Sequence, residues 1–184
     1  VTDPISRYLW PVPEDKQGIT IHPLLTHASG LPPSLGPDDE RIGRDSLVAL
    51  AMATPLWFEP GTAYEYSNVG YSLAAAIVEK VSGMAYEEFL KGLWKRAGLM
   101  ETGLFTREFS DSLVARSHNE VLGYPSQTDL PAEAWHLVGN GGILSTPSEM
   151  YRWYTWLQSD QAISASAREK MFTPYVREGE MESY

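Results

Sequence analysis

The segment PGTAYEYSNVGY, residues 60–71, decides how this chain folds and carries the side chains best suited to chemistry. It opens with a Pro-Gly pair, which favours a turn, and it ends where apolar residues begin to recur with a helical period. Between the two lie Tyr66, Ser67 and Asn68, which supply a phenol, an alcohol and an amide. Backbone N–H groups at a helix start lack partners within the helix and favour negative charge. The segment therefore predicts a turn followed by a helix, with three polar side chains at the junction.

The helix after this junction is the clearest in the sequence. It is predicted over residues 69–81, because Leu73, Ile77 and Val81 recur at i, i+4 and i+8 and Gly83 provides a C-terminal stop. We expect it to be among the best-buried elements. A cap at residues 44–46 predicts a short helix that ends at residue 53. Apolar stripes and start signals predict further helices at residues 86–97, 147–158 and 165–172.

Strand signals are short and few, at residues 19–21 and 142–144. Residues 31–43 and 103–135 are rich in Pro, Gly and polar side chains, so we expect long loops that border a site. The 184 residues with 43% hydrophobic content suffice for one core, and residues 1–184 are predicted to form a single domain. The predicted fold class is mainly α with only short strands.

Composition excludes several functions. A formal net charge of −10 argues against nucleic-acid binding, because there is no basic surface to release counterions from phosphate. No apolar run approaches the ~20 residues that span a bilayer. The absence of cysteine excludes disulfides and thiolate chemistry.

Other polar residues are assigned structural roles. His27 and Ser29 lie close together, but the Gly-x-Ser-x-Gly elbow is absent, so His27 is predicted to hydrogen-bond loop backbone. No metal site is predicted, because His22 and His27 are five residues apart and His118 and His136 have no acidic or His partner at ligand spacing.

Two further patterns are assigned to packing. Residues 139–142, Gly-Asn-Gly-Gly, lack the spacing of a phosphate loop and are predicted to pack tightly at the edge of a cleft. The aromatic cluster of Trp153, Tyr154 and Trp156 is more typical of a core or a domain interface than of a ligand site.

Tyr66-Ser67-Asn68 resembles the Tyr-x-Asn element of the serine β-lactamase and penicillin-binding protein superfamily. Within it, the resemblance is to the branch of class C β-lactamases, D-alanyl-D-alanine carboxypeptidases and esterases. Further blocks are similar to family blocks in the expected order: VTDPISRYL (1–9), ITIHPLLTHASGLP (19–32), FEPG (58–61), GLMETG (98–103) and GGILST (141–146). Together they cover nearly the whole chain.

The resemblance implies roles for two residues. Tyr66 would be catalytic, assisting proton transfer at a nucleophilic serine, and Asn68 would bind substrate through its amide. The implied activity is that of a serine hydrolase forming an acyl-enzyme with a small-molecule or peptide amide or ester, without a cofactor. The implied fold is the helical domain portion of the family's α/β fold, and the implied location is periplasmic or extracellular.

Two family motifs are absent from the chain. No Ser is followed by Lys three residues later, and Lys-Thr-Gly does not occur. Glu101-Thr102-Gly103 is similar to the latter but carries an acid, so it is predicted to be a loop. Without these lysines the Tyr66 phenol lacks the cations that would stabilise its phenolate. We therefore expect the nucleophile to lie outside this chain, which would be the helix-rich middle of a larger enzyme and inactive alone.

Alternatives remain open from the sequence. One is a non-catalytic module that binds peptidoglycan peptides or a protein partner through the same cleft, and another is a stable piece without activity. The sequence does not separate a β-lactamase from a carboxypeptidase or an esterase. Because the helical domain would pack against a sheet domain, we also expect an exposed apolar face and self-association of the isolated chain.

Overall fold

The structure is a computed structural model that describes residues 1–110, 112–115, 130–178 and 181–183. Over these residues the α-helices are α1 (Ile21–Leu25), α2 (Arg44–Ala53), α3 (Asn68–Ser82), α4 (Tyr86–Ala97), α5 (Pro147–Leu157) and α6 (Ala165–Met171). The antiparallel strand pairs are β1 (Gly103–Leu104) with β2 (Ile143–Leu144), and β3 (Val176–Glu178) with β4 (Met181–Ser183). Short 3-10 helices cover Ile5–Arg7 and Glu14–Lys16. The prediction of a mainly helical fold with short strands is confirmed. No helix in these ranges has the length and apolar character needed to cross a membrane.

Helix α3 lies at the centre of the main core. Its N-cap is Ser67, whose Oγ accepts the Gly70 N–H at 3.2 Å, and Gly83 ends it in the left-handed conformation at φ +69°. One face of α3 packs against α1 and α2. Full burial of a Leu or Ile side chain contributes about 1.5–3 kcal/mol, so this packing fixes where α3 lies. The buried side chains of this core are Ile5, Leu9, Ile19, Leu24, Leu31, Ala51, Met52, Val69, Leu73, Ala76 and Ile77.

The N-terminal segment covers one end of this core. The backbone N–H of Ile5 donates to the Ile19 carbonyl at 2.9 Å and so joins the two ends of the segment. Between them, Lys16 is only 1% exposed, and its Nζ lies 2.7 Å from Asp15 Oδ2. The aliphatic stem of Lys16 is therefore buried while its charge is paired with a half-exposed carboxylate.

Two smaller clusters extend the core beyond α3. The first contains Ala75, Phe105, Ala134, Leu137 and Val138, and the second contains Trp94, Ala97, Leu99 and Leu104. Trp153 and Trp156 of α5 pack against the second cluster, with ring centroids 5.1 Å apart, whereas Tyr154 is 55% exposed. The tryptophans therefore belong to the core of α4 and α5.

A buried carboxylate fastens α5 to the loop after α4. Glu149 Oε1 accepts the backbone N–H groups of Met100 (2.6 Å) and Glu101 (3.0 Å), and Oε2 accepts the Thr102 hydroxyl (2.6 Å). Burial raises the pKa of this carboxyl, but the hydrogen bonds outweigh burial and hold the pKa below its ordinary value. We call these contacts the Glu149 latch. The loop predicted at 101–103 is thus anchored, and its last residue, Gly103, begins β1.

The predicted helices at 69–81, 86–97, 147–158 and 165–172 are present, with ends that differ by at most one residue. The short helix predicted to end at residue 53 is also present, but it begins at Arg44 with Gly43 as its N-cap, so residues 44–46 lie within the helix and do not cap it. Val81 departs from the predicted stripe, because it is 66% exposed. The core reaches along α3 only as far as Ile77, so the last turn of the helix lies beyond it.

Two predicted segments were wrong in part. Residues 19–21 are not a strand: Thr20 makes a single bridge to Pro4, and Ile21 begins α1. Proline is tolerated in a first helical turn, and Pro23 occupies that position. The loop predicted at 103–135 contains β1 and the buried Ala134, while residues 111 and 116–129 lie outside the described residues.

Candidate active site

The three polar residues of the junction occupy different environments. Ser67 is fully buried as the N-cap of α3, Asn68 is the first residue of the helix and is half-buried, and Tyr66 is 46% exposed. Ser67 therefore caps the helix, and the helix predicted to begin at this junction is confirmed. Neither the Tyr66 hydroxyl nor the Asn68 side-chain amide hydrogen-bonds to another residue in the described ranges.

Residues 25–33 hold residues 57–71 by a set of hydrogen bonds that we call the clamp. Every donor lies on the second segment and every acceptor on the first. The donor-to-acceptor pairs are Trp57 N to Gly30 O (2.8 Å), Gly61 N to Ala28 O (2.7 Å), Glu65 N to His27 O (3.0 Å), Ser67 N to His27 Nδ1 (3.0 Å), Ser67 Oγ to Pro32 O (2.8 Å), Asn68 N to Pro33 O (2.9 Å) and Tyr71 Oη to Leu25 O (2.9 Å). The backbone that carries Tyr66 and Asn68 is thus fixed by a neighbouring loop.

Gly30 makes the clamp possible. Its φ is +78°, and a Cβ at this position would lie 2.2 Å from the Phe58 carbonyl oxygen. A side chain would therefore push the two segments apart, since real Cβ atoms do not approach a backbone oxygen so closely.

His27 contacts the junction through both its backbone and its ring. Its Nδ1 accepts the Ser67 N–H, and its ring stacks on those of Tyr66 (centroids 4.4 Å apart) and Tyr71 (5.1 Å). The prediction that His27 hydrogen-bonds loop backbone is confirmed. Its proximity to Tyr66 was not predicted, because 39 positions separate them in sequence.

Asn140 braces the start of α3 from another direction. Its Nδ2 lies 2.9 Å from Ser72 Oγ, 2.6 Å from the His136 carbonyl and 3.4 Å from the Asn68 carbonyl. The neighbouring Gly139 has φ +91°, and a Cβ there would lie 2.5 Å from the Tyr71 carbonyl oxygen. Gly139 and Asn140 therefore pack tightly against α3, whereas a Cβ at Gly141 or Gly142 would meet Leu137 or Phe105. The tight packing predicted for residues 139–142 is confirmed.

The histidines considered for metal binding are placed apart. His136 Nε2 lies 2.9 Å from Glu40 Oε2. The sequence offered no acidic partner close to His136, because Glu40 is 96 positions away. His22 packs edge-on against Tyr175. No group of three or more His, Cys, Asp or Glu suited to a metal ion occurs in the described residues, and His118 lies outside them.

A cavity of about 710 Å³ lies away from these residues. Its walls come from residues 8–13, from α2 and from the second half of α3, and neither Tyr66 nor Asn68 lines it. The walls are largely apolar, and Arg44 at the edge is already paired with Asp45 and Glu79. Lys80 and Tyr8 also line the cavity, which lies apart from the junction that holds Tyr66 and Asn68.

Comparison with known proteins identifies the family of the chain. A family model described as Beta-lactamase matches residues 1–183. Penicillin-binding protein 4* of Bacillus subtilis is 32% identical over 192 residues, which cover 94% of this chain and 42% of that protein, so the chain spans less than half of this relative's length.

Solved structures share the fold. A D-stereospecific amidohydrolase from Streptomyces sp. is 25% identical with a TM-score of 0.74, covering 94% of this chain and 57% of that one. An octameric penicillin-binding protein homologue from Pyrococcus abyssi has a TM-score of 0.73 at 22% identity, covering 97% and 44%, and shows the likeness of fold alone. With the family match over nearly all of its length, this chain belongs to the beta-lactamase family, within the superfamily of serine β-lactamases and penicillin-binding proteins.

Proposed function

We propose that the protein carrying this chain is a serine hydrolase that forms an acyl-enzyme with an amide or ester substrate, and that this chain supplies one wall of its cleft. The observation that carries the proposal is the junction: the Tyr66 phenol and the Asn68 amide are fixed by the clamp, yet neither side chain hydrogen-bonds within the described residues. Polar groups that are held in place but left unpartnered are suited to a substrate.

The proposed role of Tyr66 is to carry a proton. In acylation, a serine hydroxyl outside this chain attacks the substrate carbonyl carbon and loses its proton to the Tyr66 phenolate. The phenol then gives that proton to the leaving nitrogen or oxygen as the carbonyl–leaving group bond breaks. The charge and the proton both balance, and the phenolate is restored. Lysines outside this chain would stabilise the phenolate.

The proposed role of Asn68 is to orient the substrate. Its side-chain amide has two donors and one acceptor oxygen, which match the carbonyl and N–H of a substrate amide. Its position as the first residue of α3 also places it at the positive end of the helix dipole. The D-stereospecific amidohydrolase among the similar structures supports amides as one substrate class, and the penicillin-binding relatives support β-lactams as another.

The test is covalent labelling of the full-length protein. Incubation with a penicillin should add the mass of the drug, and Tyr66→Phe should slow this acylation, or turnover of a short amide or ester, by ~100-fold or more. Tyr154→Phe, an exposed tyrosine on α5, is the matched control and should behave as wild type. Wild-type rates in Tyr66→Phe would refute the catalytic role of Tyr66. Reversible binding without any adduct would instead identify a non-catalytic binding module.

This chain alone should not form an adduct, because no Ser in it is followed by Lys at the family's spacing. We also propose that the chain self-associates. Met150 and Tyr151 expose apolar surface on α5. Sedimentation of a monomer across a hundredfold range of concentration would contradict this.

A further inference from the structure

We propose that His27 is a positioning residue for the reaction, which sets where the Tyr66 phenol lies. This inference rests on the proposed role of Tyr66 as the proton carrier. His27 does not take part in the chemistry itself; it acts through the backbone on both sides of Tyr66 and through the tyrosine ring.

The backbone contacts bracket Tyr66. The carbonyl of His27 accepts the N–H of Glu65, and its Nδ1 accepts the N–H of Ser67, both at 3.0 Å. One residue therefore holds the peptide groups immediately before and after Tyr66. His27 makes both contacts with a backbone φ of +54°.

The left-handed conformation of His27 is a second sign of a specific role. Among the described residues it is the one non-glycine residue with positive φ. Such a conformation is strained for a residue with a Cβ, although His and Asn adopt it more often than most. A glycine would adopt this backbone without strain, but it would lack the Nδ1 acceptor and the ring.

The ring contacts connect Tyr66 to α3. The His27 ring stacks on that of Tyr66 at a centroid distance of 4.4 Å and an interplanar angle of 29°. It also stacks on Tyr71, in the first turn of α3, at 5.1 Å and 29°. Tyr71 is itself fixed, because its hydroxyl donates to the Leu25 carbonyl at 2.9 Å. The orientation of Tyr66 is thus tied through His27 to a rigid helix.

The hydrogen bond also defines the state of the ring. A nitrogen that accepts a hydrogen bond carries no proton, so the neutral imidazole has its proton on Nε2. His27 is 2% exposed and packed among three tyrosines, Tyr64, Tyr66 and Tyr71. A buried ring whose Nδ1 is committed to backbone is suited to holding a neighbour in place.

The experiment is a double-mutant cycle in the full-length protein. His27→Asn is the main variant, because asparagine tolerates positive φ and its Oδ1 can accept the Ser67 N–H, while the stacking ring is lost. It should slow acylation by a penicillin about tenfold, since a small misplacement of a reacting group has effects of this size or larger. His22→Asn, five residues earlier and packed on Tyr175, should have no such effect.

The decisive readout is the effect of His27→Asn in the Tyr66→Phe background. If His27 acts by positioning the Tyr66 hydroxyl, its substitution should change the rate less than twofold once that hydroxyl is absent. An equal loss in both backgrounds, or a wild-type rate in His27→Asn, would overturn the inference. If Tyr66→Phe itself kept the wild-type rate, the proposed catalytic role of Tyr66 would be refuted, and the inference that rests on it would be refuted too. Urea unfolding of each variant separates these rate effects from loss of folded protein.

Discussion

Two regions of this molecule fasten the start of a helix to a distant segment, and they do it in different ways. The clamp holds the N-terminus of α3 by many neutral hydrogen bonds spread over residues 25–33 and 57–71. The Glu149 latch holds α5 by one buried carboxylate that accepts every bond. A charged acceptor forms stronger hydrogen bonds, but it concentrates the attachment in one side chain and makes it depend on pH.

The difference is related to what each region presents to solvent. The latch contains no exposed reactive group, so a single anion serves it well. In the clamp, a buried carboxylate would place a negative charge beside Tyr66 and oppose the phenolate that the proposed chemistry requires. Backbone carbonyls and a neutral histidine fix the same segment without adding a charge.

The largest expected effect is in the clamp. Gly30→Ala should destabilise the protein by ~2–4 kcal/mol, because the new Cβ would clash with the Phe58 carbonyl oxygen at a positive φ. The measurement is urea unfolding of this chain. Gly18→Ala is the matched control, since no heavy atom lies within 4 Å of a Cβ at that position and its φ is not positive. Ordinary surface substitutions change stability by less than about 0.5 kcal/mol. A loss no larger than this for Gly30→Ala would show that the two segments can separate at little cost in free energy.

A smaller effect is expected in the latch. Glu149→Gln keeps the shape of the side chain and its Oε1 acceptor, but it removes the charge, so the loss should be ~1–2 kcal/mol at neutral pH. Glu88→Gln provides the control, because Glu88 is largely exposed on α4. Equal stability of the Glu149→Gln variant and wild type would mean that the charge contributes nothing to the attachment.

The smallest expected effect is the change with pH in the stability that the latch contributes, which appears only in acid. The pKa of Glu149 is lower in the folded state than the ordinary value of 4.5, so its contribution is fully present above that value. It is lost progressively as the pH falls through the lower, folded-state pKa. Between pH 7 and pH 3, wild type should therefore lose more stability than Glu149→Gln. Parallel curves of unfolding free energy against pH would contradict this.

Much of the fold could be predicted because its signals are local. The caps at Ser67 and Gly83, the spacing of Leu73 and Ile77, and the first-turn Pro147 each act within a few residues of the helix they define. Local signals failed where tertiary contacts decide, as at Val81, whose apolar spacing continues past the end of the core.

The site could be predicted only in outline for the same reason. Tyr66 and Asn68, the proposed site residues, come from one short segment. What holds them comes from residues 25–33 and Asn140, which are separated from the junction by 35 to 72 positions. Glu149 is likewise 47 to 49 positions from its donors. The pattern of side chains along a chain does not specify such pairings, because it indicates the secondary structure of each segment but not which distant segments pack against it.

The buried lysine described in the N-terminal segment has a practical consequence. Lys16 is 1% exposed and its ammonium is engaged by Asp15, whereas Lys80 and Lys95 are exposed. Amine-reactive esters should modify the latter two in the native protein and reach Lys16 only when residues 1–20 detach from the core. The rate at which Lys16 is modified, followed by peptide mass mapping, therefore measures how often that segment opens.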